Sequence, residues 1–249
     1  MSLSTTGCSG PTAGAGLVSA GQWHTVGTSV LGEPIRAYVI APGGRTDALI
    51  MGGCHGDEPK SVYVVQQLIA EISEGRAEPP PQGCVLLPVV NPDGYTIRRR
   101  RNAHGVDINR NFPTANWAPG RPRSRMFGGE APQSEPETRA VMEVVQRFRP
   151  RRIVSVHSID RQRQCNNYDG PAEDWAALLA AHNGYPVTGS IGYATPGSFG
   201  TWSGVEQGIP TVTLELPSHH SPQRCWYDNR EALLAFLTGA SPDTQQQCR

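Results

Sequence analysis

Met51-Gly52-Gly53-Cys54-His55-Gly56-Asp57-Glu58-Pro59 closes an apolar run that begins at Ala48 and opens into a stretch with a different period. Ala48 to Gly52 reads as a strand. Beyond it, Pro59 suits the first turn of a helix, and Val62, Val65, Leu68, Ile69 and Ile72 recur at helical spacing until Gly75 ends the pattern. A histidine and a glutamate three residues apart across such a strand-to-helix junction can aim at one point, so His55 and Glu58 are candidate metal ligands. The spacing differs from that of an H-E-x-x-H pair on a single helix, and in isolation it is a common coincidence.

Working outward, apolar runs alternate with amphipathic stretches from about residue 35, the signature of strands separated by crossover helices in a mostly parallel sheet. The candidate strands are Ile35 to Ile40, Ala48 to Gly52, Cys84 to Asn91, Ile153 to His157 and Thr211 to Leu216. Ser134 and Glu137 have the spacing of a capping box that opens a helix with Val141, Val144, Val145 and Phe148 on its apolar face. Glu173 to His182 and Asp228 to Leu237 read as two more helices. The Gly/Pro-rich stretch from Asn111 to Gln133 has no periodicity and is long enough to border a site. At 249 residues, with no internal repeat and no dividing linker, the chain is expected to be a single α/β domain. The expected boundaries are an N-terminal extension over residues 1–28, a catalytic domain over 29–240 and a tail over 241–249.

Lys plus Arg and Asp plus Glu each number 22, so no global field draws the chain to nucleic acid or to an anionic membrane. The dense exception is Arg98-Arg99-Arg100-Arg101. Cys8, Cys54, Cys84, Cys165, Cys225 and Cys248 form no C-x-x-C pair, which argues against a cysteine zinc site and leaves reduced thiols or one or two disulfides open. The first twenty residues lack a basic start followed by an apolar core, so the expectation is a cytoplasmic protein, or a periplasmic one if an export leader has been removed. A monomer or homodimer is expected.

A catalytic zinc takes three ligands of the His/His/carboxylate type and keeps a position open for water. His157 ends the apolar run Ile153-Val154-Ser155-Val156, where the C-terminal edge of a parallel sheet opens into a crevice, the same edge to which His55 belongs. Glu215 lies in Thr211-Val212-Thr213-Leu214-Glu215-Leu216, where an ionised carboxylate is costly unless it is paired or functional. Beside a metal-activated water it would be a general base. The donor set suits one zinc ion, although nickel or cobalt could fill it.

Several motifs in order resemble the carboxypeptidase A-like zinc peptidases: Gly53 to Glu58, Asn91-Pro92-Asp93-Gly94, Gly105-Val106-Asp107-Ile108-Asn109-Arg110-Asn111-Phe112, Ser134 to Thr138, the strand ending at His157, and Leu214-Glu215. The resemblance covers nearly everything after residue 30. It implies a mixed, mostly parallel eight-stranded sheet flanked by helices and a single zinc ion. It further implies that His55, Glu58 and His157 are the ligands, that Glu215 is the general acid/base, and that Arg100 polarises the scissile carbonyl, with Arg99 and Arg101 as register alternatives. Asn109 and Arg110 match the pair that grips a terminal carboxylate. Tyr193 resembles the family's mobile capping tyrosine, its alternative being a loop aromatic packed on a turn before a helix capped by Ser198.

Within the family the chain is most similar to bacterial murein-peptide amidases, which release meso-diaminopimelate from L-Ala-γ-D-Glu-meso-diaminopimelate. That side chain ends in an amine and a carboxylate, so its pocket should be polar. Asn167, Asp169 and His219 are the candidate pocket residues, although Asn166-Asn167-Tyr168-Asp169-Gly170 reads equally well as a turn cluster. The competing functions are a general metallocarboxypeptidase on α-linked peptides, an N-acyl amino acid deacylase on the same fold, and an inactive peptidoglycan-binding module.

Overall fold

The computed structural model describes residues 21–41, 44–160 and 163–239. Strands β1 (Gln22–Thr28), β2 (Pro34–Ile40) and β3 (Ala48–Met51) precede helix α1 (Pro59–Ser73). Strand β4 (Cys84–Leu87), helix α2 (Pro92–Thr96), a 3-10 turn at Ile108–Arg110 and helix α3 (Pro136–Phe148) follow. The chain continues through β5 (Arg152–Ile159), β6 (Cys165–Asp169), α4 (Glu173–Asn183), β7 (Val187–Thr188), a π-helical segment at Thr201–Glu206, β8 (Thr211–Pro217) and α5 (Pro222–Thr238). The strands form one mixed sheet in the order β1-β2-β4-β3-β5-β8-β6-β7. Its centre, β4-β3-β5-β8, is parallel, and antiparallel pairs join β2 and β6 to it.

Side chains alternate across the sheet, and each face builds its own core. Ala48 and Ile50 of β3, Val154 and Val156 of β5, and Val212, Leu214 and Leu216 of β8 pack with the apolar stripes of α1, α4 and α5. Leu49, Met51, Val85, Leu87 and Ile153 face the other way, onto Val141, Val144, Val145 and Phe148 of α3 and onto Phe112, Phe199 and Trp202. On that second face the alternation at the C-terminal ends of β5 and β8 reaches Ser155, His157, Thr213 and Glu215 instead of apolar residues. The hydrophobic layer stops there, and the cleft begins.

Four sequence expectations change. Gln22–Thr28 is not an extension but an edge strand, paired antiparallel with β2; residues 1–20 and 240–249 lie outside the described residues. The strand expected to run to Asn91 ends at Leu87, because Asn91 caps α2 by accepting from the Gly94 amide at 2.9 Å. The Ser134–Glu137 capping box does not form. Glu135 is the N-cap of α3, while the Glu135 and Glu137 carboxylates accept from the Asn102 amide at 2.7 and 3.0 Å. The last helix begins at Pro222 rather than Asp228, with Ser221 Oγ accepting from the Arg224 amide.

Cys54, Cys84, Cys165 and Cys225 are buried free thiols, and Cys8 and Cys248 lie outside the described residues. No helix among the described residues is long and apolar enough to cross a membrane.

Candidate active site

The loop between β3 and α1 carries His55 and ends at Glu58, the N-cap of α1. Its path is set by a close approach: a Cβ at Gly56 would lie 2.0 Å from the Gly94 carbonyl carbon, so the Asn91-Pro92-Asp93-Gly94 turn braces the loop backbone to backbone. His157 and Glu215 are register partners on adjacent parallel strands, β5 and β8.

The donors converge. His55 Nδ1 lies 2.8 Å from Glu58 Oε1, His157 Nδ1 lies 3.1 Å from Glu58 Oε2, and the two Nδ1 atoms are 3.1 Å apart. One ligand atom from each of the three residues falls within 4.8 Å of the others. The outer ring nitrogens orient the rings. His55 Nε2 donates to Asp107 Oδ1 at 3.0 Å, so its Nδ1 turns a lone pair inward, and His157 Nε2 shares a hydrogen bond with the Ser155 hydroxyl at 3.1 Å that holds its ring in place. Two imidazole Nδ1 atoms and a carboxylate converging in a buried place suit a cation between them, and two imidazoles with one carboxylate suit zinc. The Ser158 amide donates to Glu58 Oε2 at 3.0 Å and fixes the carboxylate's orientation.

The two histidines respond differently to this setting. Burial and Arg100 work against a charged His55, but Glu58 and Asp107 more than offset them and the imidazole's pKa is raised, whereas burial lowers that of His157. Burial also opposes the Asp107 charge, yet His55 and Arg100 hold its carboxyl well below the usual range. Glu215 is pushed up to about 8, first by burial and then by the Glu58 charge. A cation on the donor set would pull it back down.

Arg100 is the arginine of its run that enters the site. Its Nε and Nη2 donate to Asp107 Oδ2 at 3.0 and 2.9 Å, and its Nη1 lies 3.1 Å from His55 Nδ1. Asp107, quoted only as part of a motif, therefore orients both a candidate ligand and this guanidinium; its position directly before Ile108-Asn109-Arg110 was the available signal. Asn102, held by Glu135 and Glu137, anchors the turn between Arg100 and Asp107 by accepting from the Val106 amide at 3.0 Å.

His55, Glu58, Arg100, His157 and Glu215 line a cleft of about 660 Å³. Asn109 and Arg110 lie along it, with Asn109 Oδ1 accepting from the Phe199 amide at 2.8 Å. Tyr193, 45 % exposed, is at its edge, and Arg125 and Met126 from the Gly/Pro-rich stretch border it. Ser198 Oγ accepts from the Thr201 amide and so helps open the segment behind Tyr193.

Asn167 and Asp169 are not in a turn. They belong to β6, which pairs Asn167 with Thr213 and Asp169 with Thr211, placing both on the polar face with Glu215. Asp169 accepts a long 3.4 Å bond from Asn167 and packs so closely on Gly200 that a Cβ there would lie 2.2 Å from its Oδ2; burial pushes its carboxyl up to about 6. His219 does not join them. It is exposed in the turn after β8, its ring against His220, and is not part of the cleft wall. Four of the residues lining the cleft carry a buried polar atom with no hydrogen-bond partner: Arg110 Nε, Ser158 Oγ, Asn167 Oδ1 and Glu215 Oε2.

A sequence model of the zinc carboxypeptidase family matches residues 20–169. The chain is 34 % identical over 218 residues to murein peptide amidase A of Escherichia coli K12, covering 83 % of this chain and 86 % of that protein, and 32 % identical over 206 residues to the same enzyme of Vibrio campbellii. The crystal structure of murein-tripeptide amidase from Escherichia coli O157 superposes with a TM-score of 0.70 at 31 % identity, covering 86 % of this chain and 91 % of that one. The carboxypeptidase A of Helicoverpa armigera shares the fold, with a TM-score of 0.73 at 19 % identity over 87 % of this chain and 68 % of that one. A mixed sheet that brings two histidines and a glutamate to one point, in a chain this similar to metal hydrolases, is a hydrolase scaffold, and the chain belongs to the zinc carboxypeptidase family.

Proposed function

We propose that the chain is a zinc-dependent amidase of murein peptides that cleaves the γ-D-glutamyl-meso-diaminopimelate bond and releases diaminopimelate. The similarity to murein peptide amidases motivates the substrate class. The observation that carries the reading is that residues lining one cleft keep unpartnered polar atoms, among them Glu215 Oε2, Arg110 Nε, and Asn167 Oδ1 next to Asp169.

When bound by His55, Glu58 and His157, zinc would polarise the scissile carbonyl and acidify a water molecule. Glu215 takes the proton of the attacking water and passes it to the departing nitrogen. Arg100, held by Asp107, donates to the oxygen on which charge develops. Arg110 and Asn109 receive the α-carboxylate of the leaving residue, which stays free although the bond cut is a γ-amide. Asp169 faces the side-chain amine of diaminopimelate, and Asn167 bonds the polar end of that side chain. Tyr193 closes over the bound residue.

The test is the release of free diaminopimelate from L-Ala-γ-D-Glu-meso-diaminopimelate, followed by mass spectrometry, with and without a chelator and with zinc added back. Chelator-sensitive release supports the reading. Hydrolysis of α-linked peptides or N-acyl amino acids without release of diaminopimelate would overturn it in favour of a general carboxypeptidase or a deacylase.

A further inference from the structure

The arginine run holds more positive charge than the catalytic cleft uses. Only Arg100 turns to the donor cluster; Arg98, Arg99 and Arg101 join Arg123 and Arg125 in lining a second hollow of about 620 Å³ beside it. Asp57, 3.9 Å from Arg125, is its one carboxylate. Arg101 donates to the Ser124 carbonyl and Arg98 lies over the Tyr95 ring at 4.4 Å, and among the described residues no carboxylate pairs with Arg98, Arg99, Arg101 or Arg123. Arg98 and Arg123 adopt φ values of 54° and 65°, the left-handed region where glycine would be easier, so the chain bends unfavourably at two points of the wall and still carries a guanidinium at each. Like charges gathered in a concave wall repel one another, and an anion relieves them.

The hollow's position says which part of a substrate it meets. Asp57, Arg100 and Arg125 line both cavities, whereas Asn109, Arg110, Asn167, Asp169 and Tyr193 line only the first. If the leaving residue sits at Asn109 and Arg110, the hollow lies on the opposite, acyl side of the scissile amide, with Arg100 between.

We infer that this hollow is an anion subsite for the carboxylate of the acyl-side residue, namely the free α-carboxylate that a γ-linked glutamyl residue retains. This rests on the proposed γ-glutamyl reading. A γ linkage leaves that carboxylate uncommitted, four bonds from the scissile carbonyl carbon, on the side where Arg99 and Arg123 stand without an acidic partner. Planar guanidinium forks match a carboxylate's two oxygens. The subsite therefore selects for charge on the acyl side independently of the pocket that selects the leaving residue.

The experiment compares L-Ala-γ-D-Glu-meso-diaminopimelate with its α-carboxamide, in which D-isoglutamine replaces D-glutamate, on the zinc-loaded enzyme. We expect kcat/KM to favour the carboxylate about tenfold or more, mainly through KM, as charge-assisted hydrogen bonds do. The preference should shrink with added salt and fall toward one in an Arg99→Gln/Arg123→Gln double variant. Each preference is a ratio within one preparation, so partial loss of folded enzyme cancels. The same ratio is read as dissociation constants by calorimetry on zinc-loaded Glu215→Gln protein, which separates binding from turnover. A preference near one in the unaltered enzyme, an unchanged preference in the double variant, or no binding of either peptide overturns the subsite. Binding with the expected preference but no cleavage by the unaltered enzyme would sink the γ-glutamyl activity and leave the subsite standing.

Discussion

Replacing Asp169 by Asn should make the protein more stable above pH 6 and a poorer enzyme. Asp169 sits on β6 against Gly200, with one long hydrogen bond from Asn167, and burial pushes its carboxyl from 3.8 up to about 6. Between those two pH values the folded chain holds a proton that the unfolded chain releases, so stability falls as pH rises through the window and the loss is complete above about pH 6. At about 1.4 kcal/mol per pKa unit the full difference is ~3 kcal/mol. Discounted for the solvent in the cleft that Asp169 lines, about 1–2 kcal/mol remains. Asn cannot ionise and avoids the cost. The variant should therefore melt several degrees higher at pH 8, on the order of 2–4 °C per kcal/mol for a domain of this size. The gain should be about halved at pH 5 and vanish below pH 4. On the proposed function the same substitution removes the anion offered to the substrate's amine, so release of diaminopimelate should fall about tenfold or more. Thermal melts across pH, paired with the product assay, check both halves. Equal melting temperatures at pH 8, or a gain that does not change between pH 8 and pH 5, would refute the burial argument; undiminished release would refute the pocket role.

Glu215→Gln should lower turnover by about 10²–10⁴-fold while zinc still binds one ion per chain by metal analysis; comparable turnover would remove Glu215 from the chemistry. Asp107→Asn keeps the volume but weakens the acceptor for His55 Nε2 and for Arg100, so zinc affinity should drop ~10–100-fold in a chelator competition, and unchanged affinity would mean the second contact is idle. Gly56→Ala puts a Cβ 2.0 Å from the Gly94 carbonyl carbon, and the loop has to move; a loss of about 1–3 kcal/mol in urea unfolding, with weakened zinc binding, is expected, and a wild-type midpoint would contradict the contact.

The central strands and α1 were legible because they are buried in the way their composition advertises. Ala48 to Met51 is apolar on both faces, and the residues of α1 from Val62 to Ile72 form a stripe. The donor set was legible because each member stands at the end of such an element: His55 after β3, Glu58 before α1, and His157 and Glu215 toward the ends of β5 and β8. Strand β6 was not legible. Asn167 and Asp169 line the cleft and the Asn166 side chain bonds the Tyr185 carbonyl and Asn183, so the apolar alternation that marks a strand is missing where the pocket is polar. The edge strand β1 escaped for a related reason: its residues are exposed or half-buried and mostly polar.

Ser134 and Glu137 carry a different lesson. Their spacing fits a capping box, but the Glu137 carboxylate is taken by Asn102 and the Val30 amide, long-range partners that local spacing cannot reveal. His219 failed similarly: adjacency to Glu215 in sequence did not become adjacency in space, because the chain turns outward after Pro217.

By itself, then, the order of residues determined the α/β class, the order of the motifs and the candidate metal donors, since those follow from local period and from side-chain chemistry at element ends. Tertiary structure alone decided which arginine of four enters the site, that Asp107 orients both His55 and Arg100, that Asn167 and Asp169 share a face with Glu215, and that the remaining arginines gather in a second hollow. Each of these depends on which strand lies beside which and on which backbone approaches another closely. Such relations are set by packing between segments far apart in the chain, where no local pattern records them.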